Sequence, residues 1–119
     1  MERGFGTIAG APASAQPNEF DYRRIQRALK QRRRYRYVTP LLLKTANGYR
    51  IQSPCCSRNV DPDGGLIDIA LLLFDDSNGN WRLLRKDHAA GAWELDSVFP
   101  RLAELLAYLG EDAERRFWK

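Results

Sequence analysis

Apolar residues recur at helical spacing near the start of the chain, at strand spacing through its middle, and at helical spacing again near its end. The first run is Tyr22, Ile25 and Leu29, with Phe20 or Ala28 completing an inner stripe. Asn18 stands where an N-cap belongs, and Asp21, three residues on, can reach back to the chain start, so the spacing predicts a helix from Glu19 to Arg33. Ahead of it Met1–Pro17 is rich in Gly, Ala, Ser and Pro and has no apolar period. Such a composition does not offset the entropy lost on ordering, so residues 1–17 read as a flexible tail and 18–119 as a single domain.

From Tyr35 the period shortens toward two, through Tyr37 and Leu41–Leu43, with Pro40 marking an edge strand or a break because it cannot donate to a ladder. Asn47-Gly48 lies between Leu41–Lys44 and Tyr49–Gln52 and predicts a hairpin turn. After an aperiodic stretch ending in Asp61-Pro62-Asp63-Gly64-Gly65, the segment Leu66–Phe74 is apolar on both faces apart from Asp68, the pattern of a central strand covered on both sides. Turns at Asp75–Asn80 and Asp87–Gly91 then separate strands at Trp81–Lys86 and Ala92–Asp96. Ser97 is positioned to cap a last helix, with Pro100 in its first turn, Leu102, Leu105, Leu106 and Leu109 facing inward and Gly110 as its stop. Phe117 and Trp118 are expected to return to the core. The pattern predicts an α+β fold: an N-terminal helix, an antiparallel meander of about five strands, and a C-terminal helix packed on the sheet.

With 44% apolar and 29% charged residues in 119, the chain has the balance of a globular protein rather than a disordered one. Its longest apolar stretch, Ile69–Phe74, is far shorter than the ~20 residues of a membrane-spanning helix. No charged and apolar leader opens the sequence, so the expected location is the cytoplasm, with no membrane partner. The adjacent pair Cys55 and Cys56 cannot staple distant parts of the chain, and both thiols are expected to be reduced.

Charge changes the picture more. The net +4 conceals a segment, Arg23 to Arg36, with eight cations and no acid, while the remainder holds 11 basic against 15 acidic residues. The basicity is therefore local. Arg23, Arg24, Arg27, Lys30, Arg32, Arg33, Arg34 and Arg36 can neutralise phosphates, and Tyr35 and Tyr37 between the last arginines can stack on bases. The bland counterpart is a solvated helix face followed by a charge-protected edge strand. An acidic protein, or the acidic remainder of a second copy in a homodimer, would meet the same charge. The favoured function is accordingly a non-enzymatic binding or accessory domain for an anionic partner, nucleic acid before acidic protein.

A second candidate follows from strand pairing, which brings Asp68 toward Asp87 and sets the loop Cys55–Asp63 at the same end of the sheet. Cys55, Cys56, Arg58, Asn59, Asp61, Asp63, Asp87 and His88 would share that rim, and a Cys56 nucleophile with His88 as base and Asp87 orienting it defines a small-enzyme alternative. Cys55, Cys56, His88, Asp61 and Asp63 define a metal-binding alternative. Against both, neighbouring strand residues point to opposite faces, no Cys-X-X-Cys spacing is present, and free cysteines commonly serve as small hydrophobes. Asn59, Asp61, Asp63 and Gly64 imitate the start of a calcium loop, but Ala70 stands where its bidentate glutamate is required. Trp81, Trp93 and Trp118 read as core rather than as a ligand pocket, and no glycine-rich phosphate loop or nucleophile elbow occurs, so no cofactor is expected.

Overall fold

The computed structural model describes residues 15–32, 39–54 and 65–118. In chain order its elements are α1 (Glu19–Lys30), β1 (Leu41–Thr45), β2 (Gly48–Pro54), β3 (Leu66–Asp75), β4 (Asn80–Asp87), β5 (Ala92–Phe99) and α2 (Leu102–Glu111). The strands form one antiparallel sheet in the order β1-β2-β3-β4-β5. The α+β architecture expected from the periodicity is present, with both helices on one sheet face.

α1 starts as its sequence requires. The Asn18 side chain accepts from the Asp21 amide at 2.8 Å, and the Asp21 carboxylate accepts from Gln16 Nε2 at 2.8 Å and Arg24 Nη1 at 2.9 Å. Tyr49 Oη, on β2, accepts from the Asn18 amide at 2.8 Å, which ties the helix start to the sheet. Ile25 and Leu29 are buried and Tyr22 is packed against them, whereas Phe20 is 74% exposed, so Ala28 rather than Phe20 lies toward the second helix. The helix ends at Lys30, three residues short of the expected Arg33, because Gln31 leaves helical geometry and its amide closes on Ala28 and Leu29 carbonyls.

The first hairpin turns at Ala46-Asn47, not Asn47-Gly48. Asn47 alone takes positive φ, at 63°, and Gly48 already pairs with Thr45. Gly48 is needed for a different reason: a Cβ there would overlap the Leu72 carbonyl oxygen, so β2 can approach β3 only without one. The two later hairpins are built alike. Asp75 accepts from the Ser77 amide and hydroxyl, Asp87 accepts from the Ala89 and Ala90 amides, and Gly79 and Gly91 close the loops at φ 75° and 68°.

The core-facing row runs through Leu42, Tyr49, Ile51, Ala70, Leu72, Trp81 and Leu83 and meets Ile25, Leu29, Leu102, Leu105 and Leu109 from the helices. Tyr49 and Trp81 stack with ring centroids 6.3 Å apart. A bulge between Ile51 and Gln52 turns Ile69 inward beside Ala70. β3 is central, as expected, but among the described residues it is covered by helices on one side only.

The end of the chain departs furthest from the expected signals. Ser97 lies inside β5, which continues to Phe99, and it donates to Asp96 at 2.8 Å instead of capping a helix. Pro100 precedes α2, whose cap position is Arg101 without a side-chain bond. Gly110 is helical, close to the Arg32 backbone, and the left-handed stop falls on Asp112 (φ 42°, ψ 54°). The buried Asp112 carboxylate accepts from three successive backbone amides, Arg116 and Trp118 at 2.8 Å and Phe117 at 3.3 Å. This folds the tail back, and Phe117 and Trp118 enter the core. Trp118 Nε1 donates to the Leu109 carbonyl at 3.2 Å.

Asp112→Ala should cost about 3 kcal/mol, since it leaves buried amides without a charged acceptor, and Trp118→Ala about 3–5 kcal/mol. In urea unfolding followed by circular dichroism, the double variant should cost less than the two single costs together, because the carboxylate acts by seating the indole. Full additivity would show that the two act independently.

Candidate functional site

The outer face of α1 carries Arg23, Arg24, Arg27 and Lys30, positions that the inner stripe leaves to solvent. Arg23 pairs with Glu19 one turn earlier at 3.3 Å, and Arg24 with Asp21 at 2.9 Å, its guanidinium 5.9 Å from the centre of the Phe20 ring. Glu19 also receives Lys44 at 3.1 Å, and the hydrogen bonds from Lys44 and then Arg23 hold its carboxyl below the usual value. Arg27 and Lys30 differ. They are exposed, one turn apart, and form no ion pair among the described residues. Both lie in the last turn of α1, where the partial negative charge of the helix end favours cations without a carboxylate partner.

Arg32 does not join this face. It is buried, its guanidinium lies 4.6 Å from the centre of the Trp118 ring system, and Nη1 donates to the Leu29 carbonyl at 2.6 Å. Its side chain packs the chain end against α1. Arg33, Arg34, Tyr35, Arg36 and Tyr37, which continue the basic segment, lie outside the described residues. Beside Arg24 and Arg27 a groove of about 400 Å³ runs between α1 and α2, lined by the small side chains of Ala28, Ala103 and Ala107, with Glu111 also on its wall.

The rim that the alternative reading assembles is only partly within the described residues: Cys55, Cys56, Arg58, Asn59, Asp61 and Asp63 lie outside them. Asp87 is in place at the end of β4, but its Oδ1 accepts from the Ala89 and Ala90 amides at 3.1 Å each, which is the work of a turn residue. His88 is half-buried in that turn. Among the described residues no group of three or more His, Cys, Asp or Glu is placed to hold a metal. Trp81 and Trp118 are core residues, while Trp93 sits on the other sheet face with Lys86 Nζ 5.0 Å from its ring.

Two carboxylate clusters were not legible as such. Asp96, in the β5 bulge, accepts from Ser97, Tyr108 at 2.8 Å and Arg116 at 3.1 Å and faces Arg85 at 3.4 Å. Burial works against its charge, but these donors hold its carboxyl below the usual value, and its bond raises Tyr108 in turn. Only the strand bulge brings these residues together, and nothing in their spacing announces it. Asp68 was visible as the polar break in an apolar strand, though not its partners.

In a comparison with family models, one described as "Domain of unknown function (DUF3024)" matches residues 13–119. No curated protein and no solved structure matches the chain.

The Asp68 carboxylate takes Arg50 Nε and Nη2 at 2.7 and 2.9 Å, Gln52 Nε2 at 3.1 Å and Lys86 Nζ at 3.3 Å. Burial alone would raise its pKa; the Arg50, Gln52 and Lys86 donors outweigh that and hold it at about 2, against 3.8 for a free side chain. A depressed carboxyl stabilises the fold above its unfolded pKa and loses that contribution as pH falls through the folded value. The stability difference between the native chain and Asp68→Asn should therefore be constant near neutral pH and shrink by about 2 kcal/mol between about pH 4 and pH 2. Urea midpoints across that range measure it, and a difference independent of pH would show that Asp68 is not held ionised.

Proposed function

The chain belongs to the DUF3024 family, a domain of unknown function, and we propose that it is a non-enzymatic binding domain that meets an anionic partner, nucleic acid before acidic protein, along the outer face of α1. The observation that carries this reading is the pairing of cations. Lys44, Arg50, Arg82, Arg85, Lys86, Arg101 and Arg116 each have a carboxylate partner, whereas Arg27, Lys30 and, near the chain end, Arg115 have none among the described residues, and Arg27 and Lys30 stand one turn apart on a single helix. A cation with no carboxylate partner has no ion pair to break when it binds phosphate, and its binding releases a phosphate counterion. Arg23 adds a third charge on the same face through an exposed, weakly held pair.

The sequence extends the charge beyond α1 with Arg33, Arg34 and Arg36, and Tyr35 and Tyr37 supply rings for stacking. The Cys56, His88 and Asp87 alternative receives less support, because Asp87 Oδ1 serves the turn amides of Ala89 and Ala90 and Cys56 lies outside the described residues.

The test is a salt titration of binding to short single- and double-stranded DNA and RNA. Log affinity should fall linearly with log salt, with a slope of about −0.7 to −0.9 for each phosphate neutralised. Arg27→Glu combined with Lys30→Glu should weaken binding at least tenfold and flatten the slope by about one for each phosphate no longer neutralised, with an unchanged circular dichroism spectrum. Absence of binding at low salt would remove nucleic acid as the partner, and an affinity indifferent to the double variant would remove the outer face of α1 as the surface that meets it.

A further inference from the structure

Both helices pack on one face of the sheet, and the alternate residues of the five strands make the other. The register sets Leu43, Arg50, Leu71, Leu84 and Leu95 in one row across all the strands, and Leu73, Arg82 and Val98 in the next. The central leucines are half-buried, while Leu41, Leu43, Leu66, Leu95 and Val98 keep between 41 and 56% of their surface exposed. Single exposed hydrophobes are ordinary; rows of them spanning a whole sheet mark an interaction surface.

We propose that this face is closed by a second copy of the chain, the two sheets packing face to face about a two-fold axis that lies along the strands. Charge selects this occupant. Arg50 and Lys86 share Asp68, and Arg82 pairs with Asp75, so each of these cations of the face has a carboxylate within the chain, three positive charges against two negative. A nucleic acid or a strongly acidic protein would find a single net charge on this face, too little to hold it, whereas an identical face covers the leucine rows and leaves every cation its own carboxylate.

Size agrees. Five strands about 4.8 Å apart and about 25 Å long offer roughly 600 Å², so two copies bury on the order of 1,200 Å², the lower edge of the range for stable interfaces. The axis along the strands lays β1 of one copy over β5 of the other row by row, so Leu43 meets Leu95, Leu41 meets Trp93 and Thr45 meets Val98, and each copy supplies both margins. Pairing along the β5 edge is disfavoured, since the bulge at Asp96 kinks that strand and interrupts the ladder that an added strand would follow. The helices of both copies then point outward, and the dimer presents two copies of α1.

Sedimentation equilibrium of the full chain should give twice the chain mass at micromolar concentration, and raising the salt should not dissociate it. Leu95→Lys with Val98→Lys, both at exposed positions, should weaken self-association at least a hundredfold and leave the circular dichroism spectrum unchanged. Leu41→Lys with Leu43→Lys, at the opposite margin, should do the same, and either pair suffices if the other impairs folding. A native chain of single mass at high concentration would overturn the proposal, and so would a dimer that survives both variants. A dimer broken by Arg27→Glu with Lys30→Glu instead would place the interface on α1 and overturn it too, whereas nucleic-acid binding by that helix stands or falls separately.

Discussion

The Asp112 carboxylate is the point on which the rest of the arrangement depends. The backbone amides of Phe117 and Trp118 would otherwise enter the core with no acceptor, with that of Arg116 at its margin, and a buried amide without a partner costs about as much as a whole side-chain contact yields. By taking all three, one side chain reverses the chain after α2 and delivers Phe117 and Trp118 beneath the helices. Trp118 then provides the surface on which Arg32 lies, and the glycine at 110 lets the end of α2 come close to the backbone of that arginine. The end of α1, the end of α2 and the end of the chain are thereby one unit, and the orientation of the basic face follows from it.

The sheet supplies the second anchor, through Tyr49. Its ring stacks on Trp81, and its hydroxyl meets the amide of the Asn18 cap. Burial raises the Tyr49 pKa, so the hydroxyl stays protonated and also lies within donating distance of Gln16 Oε1 and the Asn18 carbonyl. Held at its start by Tyr49 and at its end by Trp118, α1 cannot roll about its axis. Its inner stripe is fixed against the sheet and its cations are fixed outward.

Element types were legible because each face of this protein has one kind of neighbour. α1 meets core on one side and solvent on the other, so its period is clean, and the cap at Asn18 to Asp21 sits where its spacing placed it. Boundaries failed where a residue serves another element. Gly48 carries a turn signal, but its missing side chain is needed by β3 beside it. Ser97 and Gly110 carry ordinary cap and stop signals, yet β5 keeps pairing with β4 past the first and Asp112 stops the helix beyond the second. Arg32 belonged by sequence to the basic run and was drawn inward by an indole 86 residues later in the chain. No local pattern encodes that distance.

The pattern of β3 reaches beyond its own strand. Leu71 and Leu73 alternate with Ala70 and Leu72, and a strand apolar on both faces ordinarily has a layer on each. Among the described residues the helices supply one layer only. The residues kept apolar on the open side are neighbours across strands rather than along one, so the pattern belongs to the sheet as a whole. A protein that needed only to stay dissolved would alternate polar residues there, as most antiparallel sheets do. This one places Arg27 and Lys30 on the helical side and its exposed leucines on the other, so that whatever meets one face leaves the other free.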